Sequence, residues 1–194
     1  MIEELENIKL IRELNFLKSD FEYKTNLIQI YNIEFFNSVD KILEINTELK
    51  KIYETKKNLR IESVNKVVEF DDKIEETLDE DFNQENSKLK GFYRQIVKLT
   101  HPDKVSNTSL NFLYNEANTA FKEGKTVDMI LLCDRLGLPY EINSEDKDLL
   151  KQEIQDLKNK ISLLESSYSY QWANGQDENL KNRIAVSYIK SAIS

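Results

Sequence analysis

The chain carries a single histidine, and it stands in the run His101-Pro102-Asp103-Lys104. Each of the first three side chains offers something a partner could read. Pro102 fixes one backbone dihedral and stiffens the chain at that point. Asp103 presents a carboxylate that can accept a charge-assisted bond, bidentate where the donor is an arginine. His101 donates and accepts hydrogen bonds around neutral pH. Upstream, Lys88, Lys90, Arg94 and Lys98 follow one another, with no acid among residues 86–102. Bases spaced four apart share one face of a helix. Such a face steers towards an acidic partner and is sensitive to salt.

The same inventory excludes much chemistry. One histidine, placed before a proline, gives a histidine-based triad little to build on. One histidine and one cysteine cannot build a histidine/cysteine zinc cage within one chain, and a lone cysteine forms no internal disulfide. There is no glycine-rich phosphate loop. Cys133 has no histidine near it in sequence and reads as a small core residue. Trp172, with Tyr168 and Tyr170, reads as a packing cluster rather than a ligand cage. The paired acids of 69–85 have nothing apolar around them to raise a pKa. The chain is therefore expected to be a binding protein, with no catalytic residue, no cofactor and no metal.

The elements that position these residues are expected to be helices. The prolines lie at 102 and 139 and the glycines at 91, 124, 137 and 175, so residues 1–90 contain neither type. A β-rich fold would be punctuated more often, and the fold class expected is all-α. Residues 87–100 read as an amphipathic helix with Leu89, Phe92, Tyr93, Ile96 and Leu99 on one face. Lys90, Arg94 and Lys98 fall on roughly the opposite face, and Ser87 is the expected N-cap. The helix must stop near His101, because the residue before a proline disfavours the α region. A second helix is expected over Ser109–Glu123, closed by Gly124, and a third over Val127–Leu136, closed by Gly137. Asn143 or Ser144 caps a further helix whose Leu150, Ile154, Leu157, Ile161 and Leu164 alternate spacings of four and three. That helix could lie against the N-terminal segment. The tail, Tyr168–Ser194, predicts one more helix after a loop at Gly175.

The N-terminal segment is the longest pattern. Leu10, Leu14, Leu17, Phe21, Lys24, Ile28, Tyr31, Phe35, Ser38, Ile42, Ile45, Leu49 and Ile52 keep the four-three alternation throughout. A strict heptad stripe predicts a left-handed coiled coil, with Lys24 and Ser38 loosening it or setting its register. Continued to residue 60, the helix would be about 75 Å long. A rod of that length cannot cover its own stripe. It needs a second chain, making a homodimer or another coiled-coil pair, or another helix of this chain in a compact bundle.

Charge is unevenly spread. Net charge is −8, and residues 69–85 alone hold nine acids and one base. That stretch reads as a solvated helix or a linker. The overall acidity argues against general nucleic-acid binding. No uncharged apolar run approaches the roughly 18 residues of a membrane span. The start Met1-Ile2-Glu3-Glu4-Leu5-Glu6 has acids where a signal peptide needs bases and an apolar run. A cytoplasmic protein is the expectation.

Residues 87–124 taken together resemble the J-domain of DnaJ-type co-chaperones. Tyr93-Arg94 precede His101-Pro102-Asp103 on a basic helix, and Glu116-Ala117 follow on the next. The resemblance implies an antiparallel helical hairpin whose loop docks on a DnaK-type heat-shock ATPase and stimulates its ATP hydrolysis. Carried over by position, His101, Pro102 and Asp103 are the triggering loop, and Lys88, Lys90, Arg94, Lys98 and Lys104 are the docking face. Tyr93, Ile96, Leu99, Leu113 and Ala117 are hairpin core. No tyrosine and leucine-glycine signature occurs in the region that would be the family's first helix, here the acidic stretch. Asn111 and Asn118 stand where the family often has aromatic residues. A glycine/phenylalanine-rich linker and a zinc module are lacking. The organisation expected is a coiled coil over 1–60, an acidic helix or linker over 61–86, a J-domain-like core over 87–138 and a helical or coiled-coil segment over 144–194. The alternative is a structural coiled-coil adaptor whose hairpin is a degenerate, non-stimulating spacer.

Overall fold

A computed structural model describes residues 2–68, 86–103 and 108–194, with the side chains of 59–68, 86, 108 and 109 left aside. The acidic stretch 69–85 and Lys104 lie outside the described residues. Within them the protein is all-α, with eight helices and no strand. They are α1 (Ile2–Ile45), α2 (Thr47–Val68), α3 (Asn86–Thr100), α4 (Thr108–Lys122), α5 (Thr126–Arg135), α6 (Ser144–Ser166), α7 (Tyr168–Ala173) and α8 (Glu178–Ile193). No helix among the described residues is long and apolar enough to cross a membrane.

The boundaries follow from local chemistry. Gly124 and Gly137 adopt φ of 67° and 64°, the left-handed region that closes a helix most easily with glycine. Asn143 and Asp146 make a reciprocal box at the start of α6. The Asp146 N–H donates to Asn143 Oδ1 at 2.8 Å and the Asn143 N–H to Asp146 Oδ2 at 2.8 Å. Ser167 turns extended after α6 and accepts from the Tyr170 N–H, starting α7. Asp177 caps α8 through the Leu180 N–H at 2.7 Å. The tail thus holds a short helix before Gly175 as well as the expected one after it.

The described residues fall into two compact units, one within Met1–Lys18 and Leu78–Leu157, the other within Ser19–Thr77 and Lys158–Ser194. In the first, α5 is the centre. Val127 and Met129–Cys133 are all buried, and a helix apolar on every side must be surrounded. α3 and α4 pack on it, with Leu89, Phe92, Ile96, Ala117 and Ala120 buried, and the same unit buries Ile11, Leu14 and Leu17 of α1 and Leu150, Ile154 and Leu157 of α6. Lys18 joins α1 to two neighbours, reaching Asp128 at 2.5 Å and Glu153 at 2.9 Å. Desolvation weakens its charge, yet the two carboxylates outweigh that and raise its pKa. Glu3 pairs with Lys147 at 2.5 Å. Both pairs rise together along α1 and α6, so these segments run in the same direction.

The second unit is built on Phe35, Val39, Leu43, Tyr53, Ala185 and Ile189. Tyr188 is its aromatic hub, meeting Phe35 at 5.2 Å, Phe36 at 5.6 Å, Tyr168 at 5.4 Å and Tyr53 at 6.3 Å, all edge-on. Trp172 meets Phe35 and Tyr170 meets Tyr31, so these rings pack the core. Lys24 is held by Asp20 at 2.7 Å and Glu165 at 2.8 Å, which push its pKa up.

Two expectations about the N-terminal segment are corrected. The helix does not continue to residue 60. Phe35 and Tyr53 would stand about 27 Å apart on one straight helix, yet both touch Tyr188. The chain changes direction at Asn46, whose side chain accepts the Leu49 N–H at 3.0 Å and starts α2. The heptad stripe also drifts. From Phe35 onward the buried positions are Val39 and Leu43, while Ile45 is 87% exposed and Ile52 is exposed. An ordinary helix against bundle neighbours follows the 3.6-residue period, not 3.5. Phe35, Val39 and Leu43 are covered by Tyr53, Ala185 and Ile189 of the same chain.

Candidate functional site

The loop His101-Pro102-Asp103 is held at one end of an α3–α4 hairpin. At the far end Tyr93 stacks on Phe121, with ring centroids 4.5 Å apart, and its hydroxyl donates to Asn118 Oδ1 at 2.6 Å. Burial pushes the Tyr93 phenol's pKa up. At the loop end the His101 ring meets Tyr114 edge-on at 5.3 Å. Tyr93 opposite 118–121 and His101 opposite 114 is an antiparallel register. Ala117 and Ala120, both buried, let the helices approach. Arg135 of α5 braces α4 through Glu116 at 3.1 Å.

α3 stops where the proline requires. The His101 N–H still donates to the Val97 carbonyl at 3.0 Å, and the buried Thr100 hydroxyl donates to the Ile96 carbonyl at 2.9 Å. Pro102 then turns the chain outward. Pro102 and Asp103 are exposed, and the Asp103 side chain is 85% exposed. His101 is half-buried. Its Nδ1 accepts the Asp103 N–H at 3.2 Å, with the Asp103 carboxylate 3.6 Å away. The elbow therefore offers solvent a carboxylate acceptor and a rigid turn, set on an imidazole oriented by Tyr114 and the Asp103 N–H.

The predicted docking face divides. Lys90, Arg94 and Lys98 are exposed on α3. Lys88 is not part of that face. Its ammonium pairs with Asp146, whose side chain is only 6% exposed, and it lies 5.8 Å from the centre of the Phe92 ring. Asp146 is needed at the third position of the α6 cap, and a carboxylate buried there draws the nearest lysine. Leu99 also departs from expectation. It is 44% exposed, because burial along α3 runs through Leu89, Phe92, Ile96 and Thr100. Thr100 takes the last inward position, its hydroxyl satisfied by its own helix. Leu113 is half-buried, and Ile96 and Ala117 are core as expected.

Two supports were missed in the sequence. Asn118 is a polar partner for Tyr93 rather than an absent aromatic, and Tyr114 is the platform under His101. Positions three and seven residues before Phe121 in an amphipathic helix were the available signal. Among the described residues no group of three or more histidines, cysteines or acids is placed to hold a metal. Cys133 is fully buried, and burial pushes its thiol up to about 11. Scans against family models, curated proteins and solved structures each return no match for this chain.

Proposed function

We propose that this protein is a co-chaperone that docks on a DnaK-type heat-shock ATPase through the His101-Pro102-Asp103 elbow and stimulates its ATP hydrolysis. The observation that carries it is the exposed elbow at the end of an antiparallel hairpin, on the same helix as three exposed bases. Lys90, Arg94 and Lys98 steer α3 onto an acidic surface. Pro102 holds the turn, and Asp103 accepts from a partner cation, best an arginine. His101 keeps the elbow in register through Tyr114. The nucleotide chemistry belongs to the partner, in the cytoplasm, and the helices outside the hairpin recruit a target or a second chain.

The test is steady-state ATP turnover by a purified DnaK-type chaperone with and without the full chain. Stimulation of several-fold is expected, lost in His101→Gln and in Asp103→Asn, and reduced in Lys90→Glu/Arg94→Glu. Absence of stimulation, or stimulation indifferent to these changes, would leave a structural adaptor with a degenerate hairpin.

A further inference from the structure

A groove on the second unit serves neither the elbow nor the basic face of α3. It runs between α7 and α8 with a volume of about 850 Å³. Tyr168, Leu180 and Val186, each 37% exposed, and the half-buried Ile184 supply apolar surface along it. Arg183 and Lys190 are exposed at its edge, and no carboxylate among the described residues lines it. From residue 179 to residue 190 the α8 wall is about 16 Å long, three turns of a docked helix.

We propose that this groove binds an acidic amphipathic helix of a partner protein. The apolar stripe supplies burial, and two cations with no opposing acid select negative flanks. Two cations without an acid contrast with the net charge of −8. That net charge also disfavours an anionic bilayer, which is usually read by clusters of four or more bases. The site is independent of the co-chaperone reading and gives the chain a second docking surface, by which a bound target would be tethered to the same chain as the elbow at raised effective concentration.

The test uses the full chain and a fluorescein-labelled synthetic helix of about four turns, with leucines at i, i+3, i+4 and i+7 and glutamates elsewhere. Fluorescence anisotropy should report saturable binding that weakens as salt rises. Arg183→Glu/Lys190→Glu should weaken it at least about tenfold, with helicity by circular dichroism unchanged. If that variant misfolds, Arg183→Gln/Lys190→Gln should reduce the salt dependence instead. A lysine counterpart of the probe and phosphatidylserine vesicles should not bind. The proposal is overturned by no binding, by equal binding of the lysine probe or by an unaffected variant. Vesicle binding, or a self-associated form that the charge reversal dissociates, would overturn it too. ATPase stimulation plays no part in the readout, so the two proposals fail separately.

Discussion

At the scale of single residues, the informative exchange is between Lys88 and Asp146. A carboxylate placed to cap α6 is almost wholly buried, and Lys88 neutralises it from α3. Removing one partner of such a pair leaves a desolvated charge, whereas removing a solvent-facing base on the same helix leaves nothing behind. Lys88→Met is therefore expected to lower unfolding free energy by about 1–3 kcal/mol, while Lys90→Met changes it by less than about 0.5 kcal/mol. Urea denaturation of both variants checks this. The two lysines are two residues apart and equally basic in sequence, and equal effects would contradict the assignment. The pairing was not legible because it joins positions 58 residues apart, which meet only when α6 packs beside α3.

At the scale of elements, two glycines invite opposite outcomes. Gly91 sits inside α3 with open space where a Cβ would stand. Gly91→Ala should stabilise the protein by about 0.5–1 kcal/mol, through helix propensity and a stiffer unfolded chain. Gly137 also has open space around it, but its φ is +64°. Gly137→Ala should destabilise by about 1 kcal/mol, from backbone conformation alone. Thermal melts of the pair separate sterics from dihedral strain, since neither site is crowded. Asn46 is a third such element. Asn46→Ala removes the acceptor for the Leu49 N–H and is expected to lower stability by about 1 kcal/mol, as a lost N-cap does. A stability unchanged in urea would mean that the change of direction there is held by tertiary packing on Tyr188 alone.

At the scale of the whole molecule, the interior sets an alkaline limit. Burial raises the Cys133 thiol from 9.0 to about 11. Burial, helped by Asp134, raises the Tyr140 phenol from 10.0 to about 12. Both groups have folded values above their unfolded ones. Their contribution is fully present below pH 9 and is lost as pH rises through 11 and 12, because the unfolded chain ionises first. Unfolding free energy should therefore fall between pH 9 and 12, by up to about 3 kcal/mol for the fully buried thiol. Urea midpoints at pH 8 and pH 11 measure the fall, and Cys133→Ala should flatten it whatever its own cost at pH 8. The same burial makes the native thiol slow towards alkylating reagents, while the denatured chain reacts readily.

Helical class, most helix ends and the exposure of the elbow were readable from composition and punctuation. Proline before Asp103, glycine after α4 and α5, and asparagine before α6 act through local sterics and nearest hydrogen bonds, which a sequence carries in full. Only the tertiary structure decided what covers what. The four-three spacing of α1 is compatible with a second chain or with the chain's own helices, and the period alone does not distinguish them. In the folded chain Phe35, Val39 and Leu43 are covered by Tyr53, Ala185 and Ile189, while Phe16, Tyr23, Ile30 and Ile33 stay exposed. Likewise four bases in a row are chemically alike until a buried carboxylate from α6 takes one of them. Short-range chemistry is written along the chain, whereas the choice between equivalent apolar or charged partners depends on distances that exist only after folding.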